Sequence, residues 1–175
     1  MRLIKNRPHY SPTDLVRYLG SPYASWYDRY ALHKPEHVQC KDPEDAMSKT
    51  LAHRGYAHEE GVTEALKADG MTVAKPESKN KEQQLAETIA LMHSGVDVIE
   101  QAVLSLDNIT GYADFLVKVP GASDLGDWHY EVWDAKLARS VKPSFVIQLC
   151  CYTEMVVAIQ GRQPESVRSA WLERD

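Results

Sequence analysis

Apolar positions along the 175-residue chain change their period several times, and each change marks an expected change of structure. Ser11-Pro12-Thr13-Asp14 reads as a helix start, with Ser as the cap, Pro at the first helical position and an acid three residues on. Leu15, Tyr18 and Leu19 continue as an apolar stripe until Gly20-Ser21-Pro22 stops it. Residues 23–32, rich in aromatics, predict a second short helix, and the polar, proline-containing stretch 33–45 a loop. Helical spacing returns over 46–68, where Leu51, Gly55, His58, Val62 and Leu66 or their neighbours recur at three- and four-residue steps, and Asp69-Gly70 closes it. A short extended segment near Thr72-Val73 follows, then a helix over 81–92 with Asn80 as cap and Gln83 in the reciprocal position.

After Gly95 the period shifts. Residues 96–106 and 109–119 predict two strands separated by Asp107-Asn108, a pair suited to a tight hairpin. Residues 120–128, with Gly, Ser, Asp and Pro, read as a loop, and 129–136 as a third strand. A strongly apolar helix over 144–160 ends at Gly161, and 167–172 forms a last strand. The order from residue 46 on is helix, short insert, three strands, helix, strand, which implies an α/β sandwich of a small sheet between helices. Residues 1–45 are expected as a helical segment packed on a core of residues 46–175, one domain overall.

Composition changes this picture little. Hydrophobic residues at 43% and charged residues at 26% are ordinary for a globular domain. No apolar run approaches the ~20 residues of a membrane span, and the amino terminus lacks a secretory signal, so a cytoplasmic protein with no membrane partner is the expectation. The three cysteines, Cys40, Cys150 and Cys151, fit neither a disulfide framework nor a zinc or iron–sulfur spacing. At least one of the adjacent pair is expected to be buried as a small hydrophobe. The formal net charge of −5 speaks against nucleic-acid binding taken alone. An acidic metal site would lower the sum, however, and a bound cation would reverse the local sign.

Chemistry concentrates in four places. Asp114 lies in the second strand of the hairpin, and Asp134 and Lys136 lie two apart in the third, so they share a face. If those strands are neighbours, Asp114 faces Asp134, and two carboxylates that close repel unless a cation sits between them. Oxygen ligands of this kind suit Mg²⁺ or Mn²⁺, which polarises a phosphodiester and lowers the pKa of a bound water. Lys136 can orient that water or offset phosphoryl charge, and the Ala135 carbonyl is a candidate extra ligand. The plainer alternative is a hydrogen-bonded Asp114 beside a surface Asp134–Lys136 ion pair worth under ~1 kcal/mol. His58, on the predicted core face of its helix with Gly55 clearing space one turn earlier, is a third candidate ligand or else a satisfied core histidine. Glu59, about 100° further around the axis, competes with it. Gln148 and Tyr152, four apart in an apolar helix, share a face and need partners if buried.

The series Gly55-x-x-His58, Gly111-x-x-Asp114, Asp134-Ala135-Lys136 and Gln148-x-x-x-Tyr152 resembles the RecB-like nuclease branch of the PD-(D/E)xK superfamily. Residues 132–139 with Gln148, Leu149 and Tyr152 are especially similar to a group of bacterial RecB-family nucleases, and Tyr10-Ser11-Pro12-Thr13-Asp14-Leu15 with Ser21-Pro22 resembles that branch's opening helix. The resemblance implies a restriction-endonuclease-like core of helix, three strands, helix, strand, preceded here by N-terminal helices. It implies His58, Asp114 and Asp134 as metal ligands, Lys136 as catalytic lysine, and Gln148 and Tyr152 in support. Members of the branch that carry an iron–sulfur cluster place a cysteine where this chain has Ser21, so no cluster is expected. The function implied is a Mg²⁺- or Mn²⁺-dependent deoxyribonuclease, exonuclease-like, acting on DNA ends or single strands in repair or recombination. The chain is then a stand-alone protein or a domain of a larger repair assembly. An inactive nucleic-acid-binding or scaffolding domain is the alternative. The acidic net charge favours it, as does the paucity of basic residues near the site, where only Lys136, Arg139, Lys142 and Arg162 lie close in sequence.

Overall fold

The computed structural model describes residues 1–37, 46–135 and 142–170. Lys136, Arg139, Cys40 and the side chain of Leu51 lie outside the described residues. The chain opens with a hairpin that its sequence does not announce: β1 (Arg2–Ile4) pairs antiparallel with β2 (Arg7–His9). Its two turn residues, Lys5 and Asn6, have φ of 49° and 61°, the primed turn that suits the twist of paired strands. Tyr10 then forms a parallel bridge with Ile109, which seats this segment beside that part of the chain.

The first helix, α1 (Pro12–Gly20), forms as its opening residues dictate, with Ser11 and Asp14 completing the capping box. Asp14 also accepts the amino-terminal ammonium at 2.8 Å. Burial works against its ionisation, but the ammonium and the Ser11 hydrogen bonds prevail and hold its pKa below the ordinary carboxylate value. Ser21 ends α1 with its N–H on the Arg17 carbonyl and caps α2 (Pro22–His33) by accepting from Ala24 N.

The remaining helices flank one sheet. They are α3 (Ala46–Ala68), α4 (Lys81–Ser94) and α5 (Pro143–Gln160). The sheet has five strands, in the order β3 (Val73–Ala74), β4 (Val98–Leu106), β5 (Ile109–Ser123), β6 (Gly126–Ala135), β7 (Arg168–Ala170). Its inner pairs are antiparallel and its two outer pairs parallel, so the architecture is mixed α/β. On one face Leu149, Tyr152, Met155 and Val156 of α5, with Met92 of α4, pack against Ile99, Leu104, Leu116 and Val132. On the other, Val62 and Leu66 of α3 pack against Val98, Phe115 and Val117. Burying apolar surface on both faces stabilises the sheet by roughly 25 cal/mol per Å² removed from water; β4 and β5 contribute apolar residues to both clusters, whereas β6 also buries the polar His129, Glu131 and Asp134.

The sheet breaks its own alternation at one place. Ile99 and Ala102 lie on the α5 side although three residues apart, and Ala113 and Leu116 do the same on β5. Strict alternation would put such pairs on opposite faces. The slip occurs at Gln101, whose φ is 51°, and the register places Asp114 opposite it, between the pairs Glu100↔Phe115 and Ala102↔Ala113. Thr88 of α4 supports the stretch by accepting from Val103 N at 3.0 Å.

Several sequence expectations are corrected. Residues 120–128 are not a loop: β5 runs on to Ser123 and β6 starts at Gly126, with the register irregular between Pro120 and Ser123. A bulged hairpin uses the same Gly, Ser and Pro as a loop, which is why composition misleads there. Of the adjacent thiols neither is fully buried; Cys150 is exposed and Cys151 half-buried against the core, since one helical step turns them to different sides. Gly55 does not mark a close approach, because nothing described lies within 4 Å of a Cβ placed there. Asn80 does cap α4, accepting from Glu82 N and Gln83 N, but among the described residues Gln83 makes no return bond. By length and composition α5 could cross a membrane; it is the central core helix of this fold.

Candidate active site

Asp114 and Asp134 come from neighbouring antiparallel strands. Extending the register one step beyond Phe115↔Trp133 sets them opposite each other, where directly paired residues share a face with Cβ atoms roughly 5 Å apart. Asp114 Oδ2 accepts from Ala135 N at 2.9 Å, which ties its carboxylate to the end of β6. Asp134 is 5% exposed, whereas Asp114 is half-buried. Both carboxylates act on one phenol: burial, together with the charges of Asp114 and Asp134, pushes Tyr152 up to about 12, against a hydrogen bond from Gln148. Tyr152 is therefore a neutral hydroxyl at any ordinary pH.

Asp114 opens onto a cleft of about 280 Å³ whose walls also include Gln148, Tyr152, Glu59, Gln101 and Lys81. Six elements, α1, α3, α4, β4, β5 and α5, meet here, several for local reasons. The positive φ of Gln101 breaks the alternation of β4 where the register sets it opposite Asp114. The four-residue spacing on α5 aligns Gln148 with Tyr152. Gly111 lets the layers close: a Cβ there would lie 2.7 Å from Pro12 Cδ and 2.8 Å from Tyr152 Cε1. Glu59 of α3 accepts from Gln101 Nε2 at 2.9 Å, which positions it on the cleft wall.

The predicted residues are thus distributed unevenly. Asp114, Gln148, Tyr152 and Glu59 share the cleft; Asp134 does not line it, but its charge reaches Tyr152. His58 is half-buried on α3 and does not line this cleft. Ala135 contributes its N–H to Asp114 and is 7% exposed. Lys136 falls outside the described residues. No family model, curated protein or solved structure matches the chain.

A divalent cation can be tested against this donor set. Among the described residues no three His, Cys, Asp or Glu side chains are grouped to hold an ion by themselves. The available donors are oxygens on two adjacent strands and on Glu59. That set suits a hard cation such as Mg²⁺, which is commonly held by one or two carboxylates while water and substrate phosphate fill the other positions. The residues fit such an ion and do not form a closed cage.

Sequence reasoning missed two cleft residues. Gln101 has no motif, and its signal is a backbone φ that no pattern of residue types reveals. Lys81 reads in the sequence as an ordinary first-turn lysine. In the fold its ammonium sits 4.8 Å from the centroid of the Tyr112 ring, and burial, with Arg2 nearby, lowers its pKa. Tyr112 is fixed in turn by donating from its hydroxyl to Gln84 Oε1 at 2.9 Å.

Proposed function

We propose that this protein is a Mg²⁺- or Mn²⁺-dependent nuclease that hydrolyses phosphodiester bonds of DNA, on a restriction-endonuclease-like core related to the RecB-like branch. The observation that carries the reading is that Asp114 and Asp134, on adjacent strands, both act electrostatically on the Tyr152 phenol, while Asp114 shares its cleft with Gln148, Tyr152 and Glu59. In this reading Asp114 and Asp134 would hold the ion, with water and substrate phosphate filling other positions. The third ligand, Glu59 or His58, is not grouped with both carboxylates among the described residues and would have to approach on binding, and the Ala135 carbonyl is a further candidate. Glu59 is the better placed of the two, because it lines the cleft beside Asp114. When bound, the ion supplies Lewis acidity toward a phosphoryl oxygen and acidifies a coordinated water.

The chain's own groups have separate tasks. The Tyr152 hydroxyl, kept protonated, donates to a phosphate oxygen or to the carboxylate pair, and Gln148 steadies it. Lys81 offers positive charge at the other cleft wall, where a phosphate would enter. Lys136 follows Ala135, whose N–H fixes Asp114, and is assigned the role of orienting water or offsetting charge on phosphorus.

The test has two parts. Mn²⁺ titrated calorimetrically into the native chain should bind, and Asp114→Ala should abolish the heat. Lys136→Ala should lower Mn²⁺-dependent cleavage of single-stranded DNA by roughly 10²–10³-fold while circular dichroism stays unchanged. Undiminished cleavage would remove Lys136 from the mechanism. An inactive binding or scaffolding domain is the competing reading, and the net charge of −5 favours it; DNA binding with neither Mn²⁺ uptake nor cleavage would decide for it.

A further inference from the structure

Charge and aromatic rings are not spread evenly along this chain. Residues 1–37 hold six Lys and Arg against three Asp and Glu, whereas the rest of the chain holds fourteen against twenty-two. The same basic segment carries a ladder of rings on α2. Tyr23 stacks on Trp26 with centroids 5.8 Å apart, Trp26 on Tyr30 at 5.4 Å, and His37 extends the row beyond Tyr30. Tyr23 and Trp26 are 72% and 56% exposed, so the row is a surface feature and not part of the core. Only Ser25 of this helix is buried.

We infer that the aromatic row of α2 is a base-stacking platform for single-stranded nucleic acid, delivering the strand to the cleft; this rests on the nuclease reading for the strand's fate. Large exposed aromatic groups on one helix face mark an interaction surface. The chemistry around the row selects its occupant. Helical spacing puts Arg29 three residues beyond Trp26, His33 seven beyond it and Lys34 four beyond Tyr30; all three are exposed, with Arg29 beside the middle of the row and His33 and Lys34 at its Tyr30 end. The acid on this helix, Asp28, is engaged by Arg17. Flat rings edged by cations match a polymer of flat bases linked by phosphates. The ring spacing leaves no space for an inserted base, which needs about 7 Å between planes, twice the usual carbon contact distance. The strand therefore continues the stack on the outer face of Tyr23, the open end of the row. α2 packs on α1, whose opening residues Ser11, Pro12 and Thr13 line the cleft; the nine residues of α1, about 14 Å at 1.5 Å each, separate that end from Tyr23.

The experiment compares two probes in EDTA, so that binding is read without cleavage. One is a fluorescein-labelled oligothymidylate, and the other is a strand of equal length made of abasic residues with the same phosphates. The native chain should bind the thymidylate about ten-fold more tightly, in line with a stacking contribution per base. Tyr23→Ala with Trp26→Ala should erase that preference while leaving abasic-strand affinity unchanged, and Tyr23→Phe should restore most of it. A preference that survives the double substitution overturns the inference, as does equal binding of both probes by the native chain. So does a fall from dimer to monomer in sedimentation without loss of preference, which would assign the row to a second copy of this chain. Preference lost as expected, with no Mn²⁺-dependent cleavage by the native chain, would keep the platform and remove the nuclease reading instead.

Discussion

The two ends of α5 treat buried polar side chains in opposite ways. At the C-terminal end Gln160 is fully buried, and its partners are main-chain atoms: its Oε1 accepts from Tyr130 N at 2.8 Å, and its Nε2 donates to the carbonyls of Tyr130 and Arg162. It stitches the helix to β6, and nothing remains for a ligand. At the N-terminal end Gln148 and Tyr152 face each other, two carboxylates and an open cleft. A glutamine in an apolar helix is a fastener when the backbone uses it fully, and a site candidate when it faces other side chains around space. Substitutions at the two ends should therefore separate stability from activity.

The largest effect is expected at the closed end. Gln160→Ala leaves the buried N–H and carbonyl of Tyr130 without the amide that holds them. Each such group costs about 1–3 kcal/mol, so with two of them the variant should lose about 2–6 kcal/mol in urea unfolding with cleavage per folded molecule unaltered. A variant as stable as the native chain would mean that water replaces the amide, and the contrast between the ends would fail.

The open end should give the mirror image. Tyr152→Phe removes one hydroxyl, and cleavage should fall about 10- to 100-fold, the scale of a supporting hydrogen bond around a metal site. Unfolding free energy should change by less than ~1 kcal/mol, because the ring keeps its place in the core. With its pKa pushed up to about 12, the hydroxyl donates throughout the range from pH 6 to 9. The native and variant rate profiles should therefore run parallel over that range. A profile that differs in shape would show that Tyr152 titrates during catalysis.

Gly111→Ala couples stability to activity. The added methyl meets the Pro12 ring at 2.7 Å and the Tyr152 ring at 2.8 Å, so either α1 or Tyr152 must move. Overpacking of this kind costs about 1–3 kcal/mol, and activity should drop with it because Tyr152 is displaced. A stable, fully active variant would show that the closeness of these rings does not matter to the cleft.

The chain announced some of this arrangement and concealed the rest. The capping box of Ser11 and Asp14, the extent of the helix over 46–68, and Gly161 as the stop of α5 follow from short-range chemistry, and residue types report that well. That Gln148 and Tyr152 share one face, toward the cleft that Asp114 also lines, was accessible because a four-residue helical step puts them there. Gln101, Lys81 and the tight contact at Gly111 were not, because they arise where layers meet and a backbone angle flips. The bulged end of the β5–β6 hairpin was hidden for the opposite reason: Gly, Pro and Ser have the same local preferences in a bulge as in a loop.

The smallest effect is expected at a third polar cluster, remote in kind from both ends of α5. Asp97 accepts from Lys118 Nζ at 2.6 Å, from the Thr72 hydroxyl at 2.6 Å and from Thr72 N at 3.0 Å, fastening the segment before β3 to β4 and β5. The Lys118 contact first, then the two Thr72 bonds, hold its pKa far below the ordinary carboxylate range. The folded value is the depressed one, so the stabilisation is fully present above the unfolded carboxylate value near about 4. It is lost as pH falls from there toward the folded value. With the aspartate and lysine side chains 35% and 30% exposed, solvent screens the pair, and Asp97→Asn should cost only about 1 kcal/mol at pH 7. That difference between native and variant should shrink as urea unfolding is repeated from pH 5 down to pH 3. A difference that stays constant with pH would mean that the hydrogen bonds to Thr72, which an asparagine oxygen can keep in part, carry the stabilisation and the Lys118 charge does not. The cluster would then belong with Gln160 as a neutral fastener, leaving the end of α5 that bears Gln148 and Tyr152 as the place where carboxylate charge has a consequence.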